Sequence, residues 1–259
     1  MASLRALFDL SGRVAVVTGG GVGLGRQMAT ALAEAGSHVV FCARRLGPCE
    51  EAAQEITQLG VQTLALRCDV TSPADVHAMT KAVVHHFGRI DVLVNNAGGS
   101  GPEASPEDLP IASWEETLRV NATGSFLCAQ AIGRRMITQR RGKIINIASL
   151  SGLVGKNPAV KNTIAYSVAK GAVINFTRDL AVKWAQHNIH VNAIAPGIFR
   201  TARNATRFDA REEALISENP LRRAGGEDDL KGAVVFLASD ASNFVTGAIL
   251  AVDGGASAW

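Results

Sequence analysis

Residues 13–25 read RVAVVTGGGVGLG. The run VAVVT is apolar or β-branched at every position, and it enters a glycine cluster without a break. Beyond the cluster, QMATALAEAG (27–36) repeats apolar residues at helical spacing. The stretch therefore predicts a buried strand, a sharp turn and an amphipathic helix. Glycine permits the turn and lets the backbone approach a phosphate closely. The helix start then offers N–H groups without intrahelical partners at the positive end of its dipole. Gly19, Gly21, Gly23, Leu24 and Gly25 are the candidate phosphate-binding residues. A ligand-free βα turn would look similar in isolation. The position directly after the first strand, at the opening of a helix, favours the binding reading.

The same alternation runs outward along the chain. Strands are expected at 13–18, 38–42, 62–67, 91–95, 143–148, 190–194 and 249–252, with helical patterns between them such as 73–88 and 172–187. Several of these strands are apolar at nearly every position, as strands covered on both faces must be. Strand–helix alternation implies right-handed βαβ units and an α/β, doubly wound parallel sheet with helices on both faces. No repeat or low-complexity linker divides the 259 residues, so a single domain over 1–259 is expected. Loops at 99–110, 150–165 and 199–219 follow strand ends, where such sheets bind ligands. The last of these is expected to cover the substrate.

Composition excludes other classes. Net charge is +3, too weak and scattered to argue for nucleic acid or a membrane surface. No apolar run is long enough to span a bilayer, and the N-terminus lacks a cleavage-site pattern. Cys42, Cys49, Cys68 and Cys128 form no CxxC and no metal-like pairing with histidine. They read as reduced residues of a cytoplasmic protein without a metal site.

The second strand, HVVFCARR, ends in Ala43, Arg44 and Arg45. An acid here would hold an adenosine ribose 2′-OH and favour NAD. There is none, and a guanidinium matches a 2′-phosphate bidentately. NADP(H) is therefore the expected cofactor and NAD(H) the alternative. Arg44 is the better placed, although both arginines could instead pair with Glu50 or Glu51. In RCDVT (67–71), Asp69 with Val70 could meet the adenine, or Asp69 could help start the next helix, for which Ser72 is the better N-cap before Pro73. Asn96, Ala97 and Gly98 of NNAG suit a backbone passing close to a ligand.

Residues 165–170 read AYSVAK, and Tyr166 is the one tyrosine in the chain. Lys170 stands four places on, hence on the same helix face. The ordered set of TGGGVGLG, DV (69–70), NNAG, Asn121 in VNATG, Ser149 after KIINIA, YSVAK, and PG (196–197) followed by Thr201 resembles the short-chain dehydrogenase/reductase family. Within it the chain resembles NADP-dependent ketone and 3-oxoacyl reductases and gluconate 5-dehydrogenase-like members. The resemblance covers nearly the whole chain. It implies a Rossmann-type sheet of seven parallel strands, NAD(P) binding, hydride transfer between a secondary alcohol and a ketone, and a homodimer or homotetramer. It further implies Tyr166 as acid/base, Lys170 on the nicotinamide ribose and beside the phenol, Ser149 on the substrate oxygen, and Asn121 holding a water in a proton relay. Asn96 and Gly98 would pass the ribose, and Pro196, Gly197, Ile198 and Thr201 would line the nicotinamide amide.

The chemistry of that set is coherent. Negative charge grows on oxygen as a hydride reaches a carbonyl carbon, and the oxygen then needs a proton donor. A free phenol titrates near 10, and an adjacent ammonium lowers it; two units correspond to about 2.7 kcal/mol. One departure from the family pattern stands out: Ser149 and Tyr166 are farther apart than usual, by about a helical turn's worth of residues. Ser151 is a rival for the serine role, and Lys156, Lys161, Asn162 and Thr163 in the longer loop could shape substrate choice. Arg203, Arg207 and Arg211, with Arg200 before them, would form a basic stripe on a helix. That suggests an anionic substrate, but pairing with Asp209, Glu212 and Glu213 is the weightier reading. Two other functions compete with the NADP-linked ketone reductase: an NAD-linked alcohol or sugar-acid dehydrogenase, and a non-catalytic nucleotide sensor.

Overall fold

The computed structural model describes residues 2–155, 162–201, 204–217 and 219–258, apart from the side chain of Arg207. A short helix α1 (Leu4–Phe8) leads into β1 (Val14–Thr18), α2 (Gly23–Glu34), β2 (His38–Ala43), α3 (Gly47–Thr57), β3 (Thr63–Arg67), α4 (Pro73–Phe87) and β4 (Val92–Asn95). Then come α5 (Ile111–Leu118), α6 (Gly124–Gln139), β5 (Gly142–Ile147), α7 (Ile164–Trp184) and β6 (Ile189–Pro196). The chain finishes with α8 (Ala205–Asp209), α9 (Glu212–Ser217), α10 (Lys231–Ala238) and β7 (Ile249–Val252).

All seven expected strands form, and they pair in parallel in the order β3-β2-β1-β4-β5-β6-β7. The order reverses between β1 and β4, which opens a crevice at their C-terminal ends. The apolar strands are covered on both sides. Val17, Phe41, Val94, Ile145 and Ile194 pack with α2, α3 and α10 on one face. Val16, Val40, Leu93, Ile144 and Val191 pack with α4 and α6 on the other. The α4 start follows its sequence signals: Pro73 opens the helix, the Ser72 side chain accepts from Asp75 N, and Gly88 closes it in the left-handed region. No helix among the described residues is long and apolar enough to cross a membrane.

The end of the sheet opposite the crevice carries a buried cation. Lys143 in β5 is 4% exposed, and its Nζ donates to Ser242 Oγ at 3.1 Å. Arg13 and Arg141 both pair with nearby Asp240, at 2.7 and 2.8 Å, and His190 lies beside them. Burial, reinforced by the two arginines and opposed by Asp240, lowers the Lys143 pKa from 10.5 to about 8. Between those two values the unfolded chain binds the proton better than the folded one, so stability rises as pH climbs through that window. One such group contributes a slope of up to about 1.4 kcal/mol per pH unit. Denaturant unfolding at pH 8, 9 and 10 should therefore show a steeper gain for the wild type than for Lys143→Met. Parallel curves would mean that Lys143 keeps its proton throughout.

Candidate active site

The turn after β1 has the geometry the glycines predict. Gly19 and Gly23 lie in the left-handed region, at φ 65° and 55°. A Cβ on Gly25 would run into the Gly19 carbonyl, and one on Gly21 would meet the backbone of Pro48 at 2.8 Å. Only hydrogen fits at either place. The α2 N-terminus has no side-chain cap among the described residues, and its first N–H groups lack intrahelical partners. Such a cradle suits a pyrophosphate.

Thr18, at the end of β1, ties this turn to the end of β4. Its Oγ1 donates to Val94 O at 3.3 Å and accepts from the N–H groups of Asn96 and Ala97, both at 2.9 Å. The Asn96 amide reaches back to Thr18 O at 2.9 Å and Gly19 O at 3.2 Å. The nucleotide turn and the NNAG segment are therefore one hydrogen-bonded unit.

Gly98 continues toward the second half of the site. A Cβ there would strike Asn121 Oδ1 and lie 3.6 Å from Lys170 Nζ. Asn121 sits in a π-helical turn, Arg119–Thr123, between α5 and α6. Its amide donates to Gly99 O and Thr117 O, both at 2.9 Å, and its Oδ1 accepts from Gly99 N at 3.3 Å. The same side chain thus relaxes the helix and fixes the root of the 99–110 loop.

Lys170 is 4% exposed, and its Nζ donates to Ile147 O at 2.6 Å. Burial alone lowers its pKa to about 8. Nζ stands 5.5 Å from the ring centroid of half-buried Tyr166, one turn earlier on α7. Ser149 directly follows the β5 end region and opens the 3₁₀ turn Leu150–Gly152; its Oγ accepts from Ser151 N at 3.2 Å. That bond leaves the hydroxyl proton to donate elsewhere. Gly152 lets the turn press against α7, since a Cβ there would meet the Lys170 carbonyl carbon at 2.6 Å. The serine turn and the tyrosine–lysine helix are in direct contact.

Residues 20–257 match the sequence model of the family described as Enoyl-(Acyl carrier protein) reductase. The 5-keto-D-gluconate 5-reductase of Escherichia coli is 37% identical over 256 residues, 97% of this chain and 98% of that one. A solved short-chain type dehydrogenase/reductase from Mycobacterium marinum is 37% identical and superposes with a TM-score of 0.94 over 98% of this chain and 99% of its own. The chain belongs to the short-chain dehydrogenase/reductase family. As a short-chain dehydrogenase/reductase it is an oxidoreductase acting on CH–OH or C=O groups. Solved members of similar likeness differ in cofactor. An NAD+-bound xylitol dehydrogenase has TM-score 0.90 and 35% identity over 95% of this chain and 99% of its own. An NADPH-dependent 3-quinuclidinone reductase from Rhodotorula rubra has TM-score 0.92 and 36% identity over 99% and 95%.

The other expected residues of this short-chain dehydrogenase/reductase take these positions. Arg44 and Arg45 are exposed just beyond β2, and neither pairs with Glu50 or Glu51 among the described residues. Asp69 Oδ1 accepts from Thr71 N at 2.9 Å and Thr71 Oγ1 at 2.8 Å. Those bonds, chiefly the backbone one, and the nearby Arg44 and Arg119 charges hold its carboxyl below the usual range. Val70 is buried against the start of α6 at Gly124. Leu24 and Ala97 are half-buried against the two core clusters. Pro196 ends β6, Gly197 N donates to Val252 O at 3.0 Å, and Ile198 O accepts from Gly225 N at 2.8 Å. The Thr201 methyl lies 3.6 Å from where a Gly23 Cβ would be, so this segment reaches the glycine turn.

The basic stripe needs correction. Among the described residues, 204–211 is not one helix, because the chain breaks between α8 and α9 and Arg211 falls in the break. Arg211 pairs with Glu103 at 3.5 Å, and Arg200 pairs with Asp209 at 2.8 Å. Both guanidiniums are therefore held by carboxylates. Arg203, Lys156 and Lys161, together with the Arg207 side chain, lie outside the described residues. Sequence reasoning gave no role to Thr18 or Gly152. A hydroxyl residue just before the glycine turn was the available signal for Thr18. Nothing local marked Gly152, whose neighbour is a helix that starts after the next loop.

Proposed function

We propose that this protein is an NADP(H)-dependent oxidoreductase interconverting a small ketone and its secondary alcohol, with Tyr166 as acid/base. The carrying observation is Lys170: a buried ammonium with a backbone carbonyl as its hydrogen-bond partner, beside the ring of the chain's one tyrosine. A buried cation in that position stabilises a phenolate and so makes the phenol a better proton donor.

The residues present fit a dinucleotide: a glycine cradle that Cβ atoms would fill, an uncapped helix start, and Gly98 against Asn121 and Lys170. The bound nicotinamide supplies the hydride. Gly19, Gly21, Gly23, Leu24 and Gly25 would hold the pyrophosphate, and Asp69 with Val70 would flank the adenine. Asn96, Ala97, Gly98 and Lys170 would hold the nicotinamide ribose; Pro196, Gly197, Ile198 and Thr201 would hold the carboxamide. Ser149 donates to the substrate oxygen and orients it, and Tyr166 delivers the proton to that oxygen. Lys170 would restore the proton to the phenol through a water that Asn121 holds. No metal is needed for these steps.

Arg44, and secondarily Arg45, would bind the 2′-phosphate. A charge-assisted bidentate contact of that kind is lost in Arg44→Ala, which should weaken NADPH binding about 10- to 100-fold and leave NADH nearly unchanged. Fluorescence titration of both cofactors reads this directly; equal weakening of the two would mean that Arg44 does not read the 2′-phosphate, and tighter wild-type binding of NADH than of NADPH would move the preference to NAD. A screen of carbonyl compounds followed by NADPH absorbance tests the reaction itself. We assign one domain to residues 1–259 with 199–219 covering the substrate, a cytoplasmic location, and assembly with further copies of the chain. Phe126 and Val168, on the outer faces of α6 and α7, are large apolar residues left 45% and 43% exposed and suit such an assembly.

A further inference from the structure

Two asparagines stand opposite each other in the sheet. Asn95 ends β4 and pairs in register with Asn146 of β5. Strand alternation puts both on the face of Leu93 and Ile144, among the apolar side chains beneath α4 and α6. Asn95 Nδ2 donates twice, to Asn146 Oδ1 at 2.9 Å and to Ser125 O near the start of α6 at 3.2 Å. Its Oδ1 accepts no hydrogen bond from the described residues, so those two donor bonds alone orient the amide. Asn146 Nδ2 donates to Thr177 Oγ1 on α7 at 2.9 Å, and Thr177 Oγ1 donates to Val173 O at 2.8 Å. At the other end, Ser125 Oγ donates to Asn121 O at 2.8 Å. A line of hydrogen bonds thus runs from the π-helical turn of Asn121 through Ser125, Asn95 and Asn146 to Thr177. Those four side chains belong to residues that are at most 7% exposed.

Each end of the line lies beside a residue of the proton relay. Ser125 holds the carbonyl of Asn121 itself, in a turn that departs from the α-helical ladder. Thr177 stands two turns after Lys170, on the buried stripe of α7 that includes Val173 and Ile174. Lys170 Nζ donates to Ile147 O, and Asn146 is the residue before. Helix α7 is therefore fixed to two adjacent residues of β5, by Lys170 at one and by Thr177 at the other.

We propose that this buried bridge sets the placement of Asn121 against Lys170, which makes Ser125, Asn146 and Thr177, with Asn95 between them, positioning residues for the return of the proton to the phenol. Its consequence for catalysis rests on the reductase reading above; the mechanical coupling of the two helices does not. Apolar contacts are non-directional and let a helix slide along a sheet at little cost. A buried hydrogen bond is directional, and losing it leaves a donor or acceptor unmet. The amide pair therefore ties α6 and α7 to one point of the sheet. A relay needs such a tie, since a misplacement of about 1 Å can cost roughly a hundredfold in rate.

The test uses the full chain and four variants: Thr177→Val, Thr177→Ser, Ser125→Ala, and Thr177→Val combined with Ser125→Ala. Valine keeps the shape of threonine without the hydroxyl, and serine keeps the hydroxyl. On a carbonyl that the wild type reduces, Thr177→Val and Ser125→Ala should each lower kcat about five- to twentyfold, with KM and NADPH affinity held within about twofold. The solvent deuterium isotope effect on kcat should rise in both, because proton return becomes the slower step. The combined variant should be no slower than the poorer single, since both cut the same line. Thr177→Ser should keep the wild-type rate. Without substrate, amide hydrogen exchange in 119–126 should quicken in Thr177→Val, and exchange in 173–180 should quicken in Ser125→Ala, each on the helix that was not altered. Exchange that quickens only on the altered helix would overturn the coupling. Lost stability with kcat per folded molecule unchanged, a serine variant as slow as the valine one, or single losses that multiply would overturn the positioning role. Ser125→Ala removes one hydroxyl and decides both points should Thr177→Val not fold. A wild type that turns over no carbonyl sinks the reductase reading alone, and the exchange comparison still decides the bridge.

Discussion

Tyr166→Phe should lower kcat for carbonyl reduction by about a thousandfold, the middle of the range that a positioned general acid contributes. The substitution removes one oxygen and keeps the ring, so α7 and its contacts with the Ser149 turn survive. Cofactor affinity stays close to wild type, because the phosphate cradle lies on β1 and α2, away from the phenol. Steady-state rates and a cofactor titration on the same preparation separate these quantities. No other phenol exists in the chain to substitute for it. Ser149 can orient an oxygen, but an aliphatic hydroxyl is too weak an acid to supply the proton. A variant that keeps more than about a tenth of wild-type kcat would remove Tyr166 from the proton step.

Lys170→Met should give the second large effect, about a hundredfold loss of kcat at neutral pH. That corresponds to the two units of phenol acidity which a nearby ammonium supplies. The pH profile identifies the cause. Burial sets the Lys170 pKa at about 8, so the wild-type side chain is charged at pH 7 and loses its charge as pH rises through 8. The charged form is the one that acidifies the phenol. In the wild type, kcat/KM for reduction should therefore fall above about pH 8. In the variant this limb moves to higher pH, toward that of an ordinary phenol, while the plateau is lower. An unchanged alkaline limb in the variant would assign the titration to another group and leave Lys170 a structural role.

The secondary structure was legible because its signals are local. Apolar runs such as VAVVT and HVVFCA are strands at nearly their expected limits, β1 and β2. The pattern at 73–88 is α4 with its Gly88 cap. Ser149, Asn121 and Lys170 each stood out in the sequence as one residue in an ordered set, and the structure brings Lys170 and Asn121 together against Gly98. The expected helical stripe of arginines was misread. Its i, i+4, i+8 spacing describes a helix only if the helix continues, and here Arg211 lies in the break between α8 and α9, paired with Glu103.

Chain-local physics thus determined the alternation of strands and helices, the sharp glycine turn, the helix caps and the tyrosine–lysine spacing. Each depends on backbone conformation or on residues within a turn of one another. Tertiary structure alone decided which acids Arg200 and Arg211 meet, that Thr18 ties β1 to β4, and that Gly152 admits the serine turn against α7. Those contacts join segments remote in sequence, and their partners are chosen by where the sheet order and helix packing deliver the chain, which no spacing along it encodes.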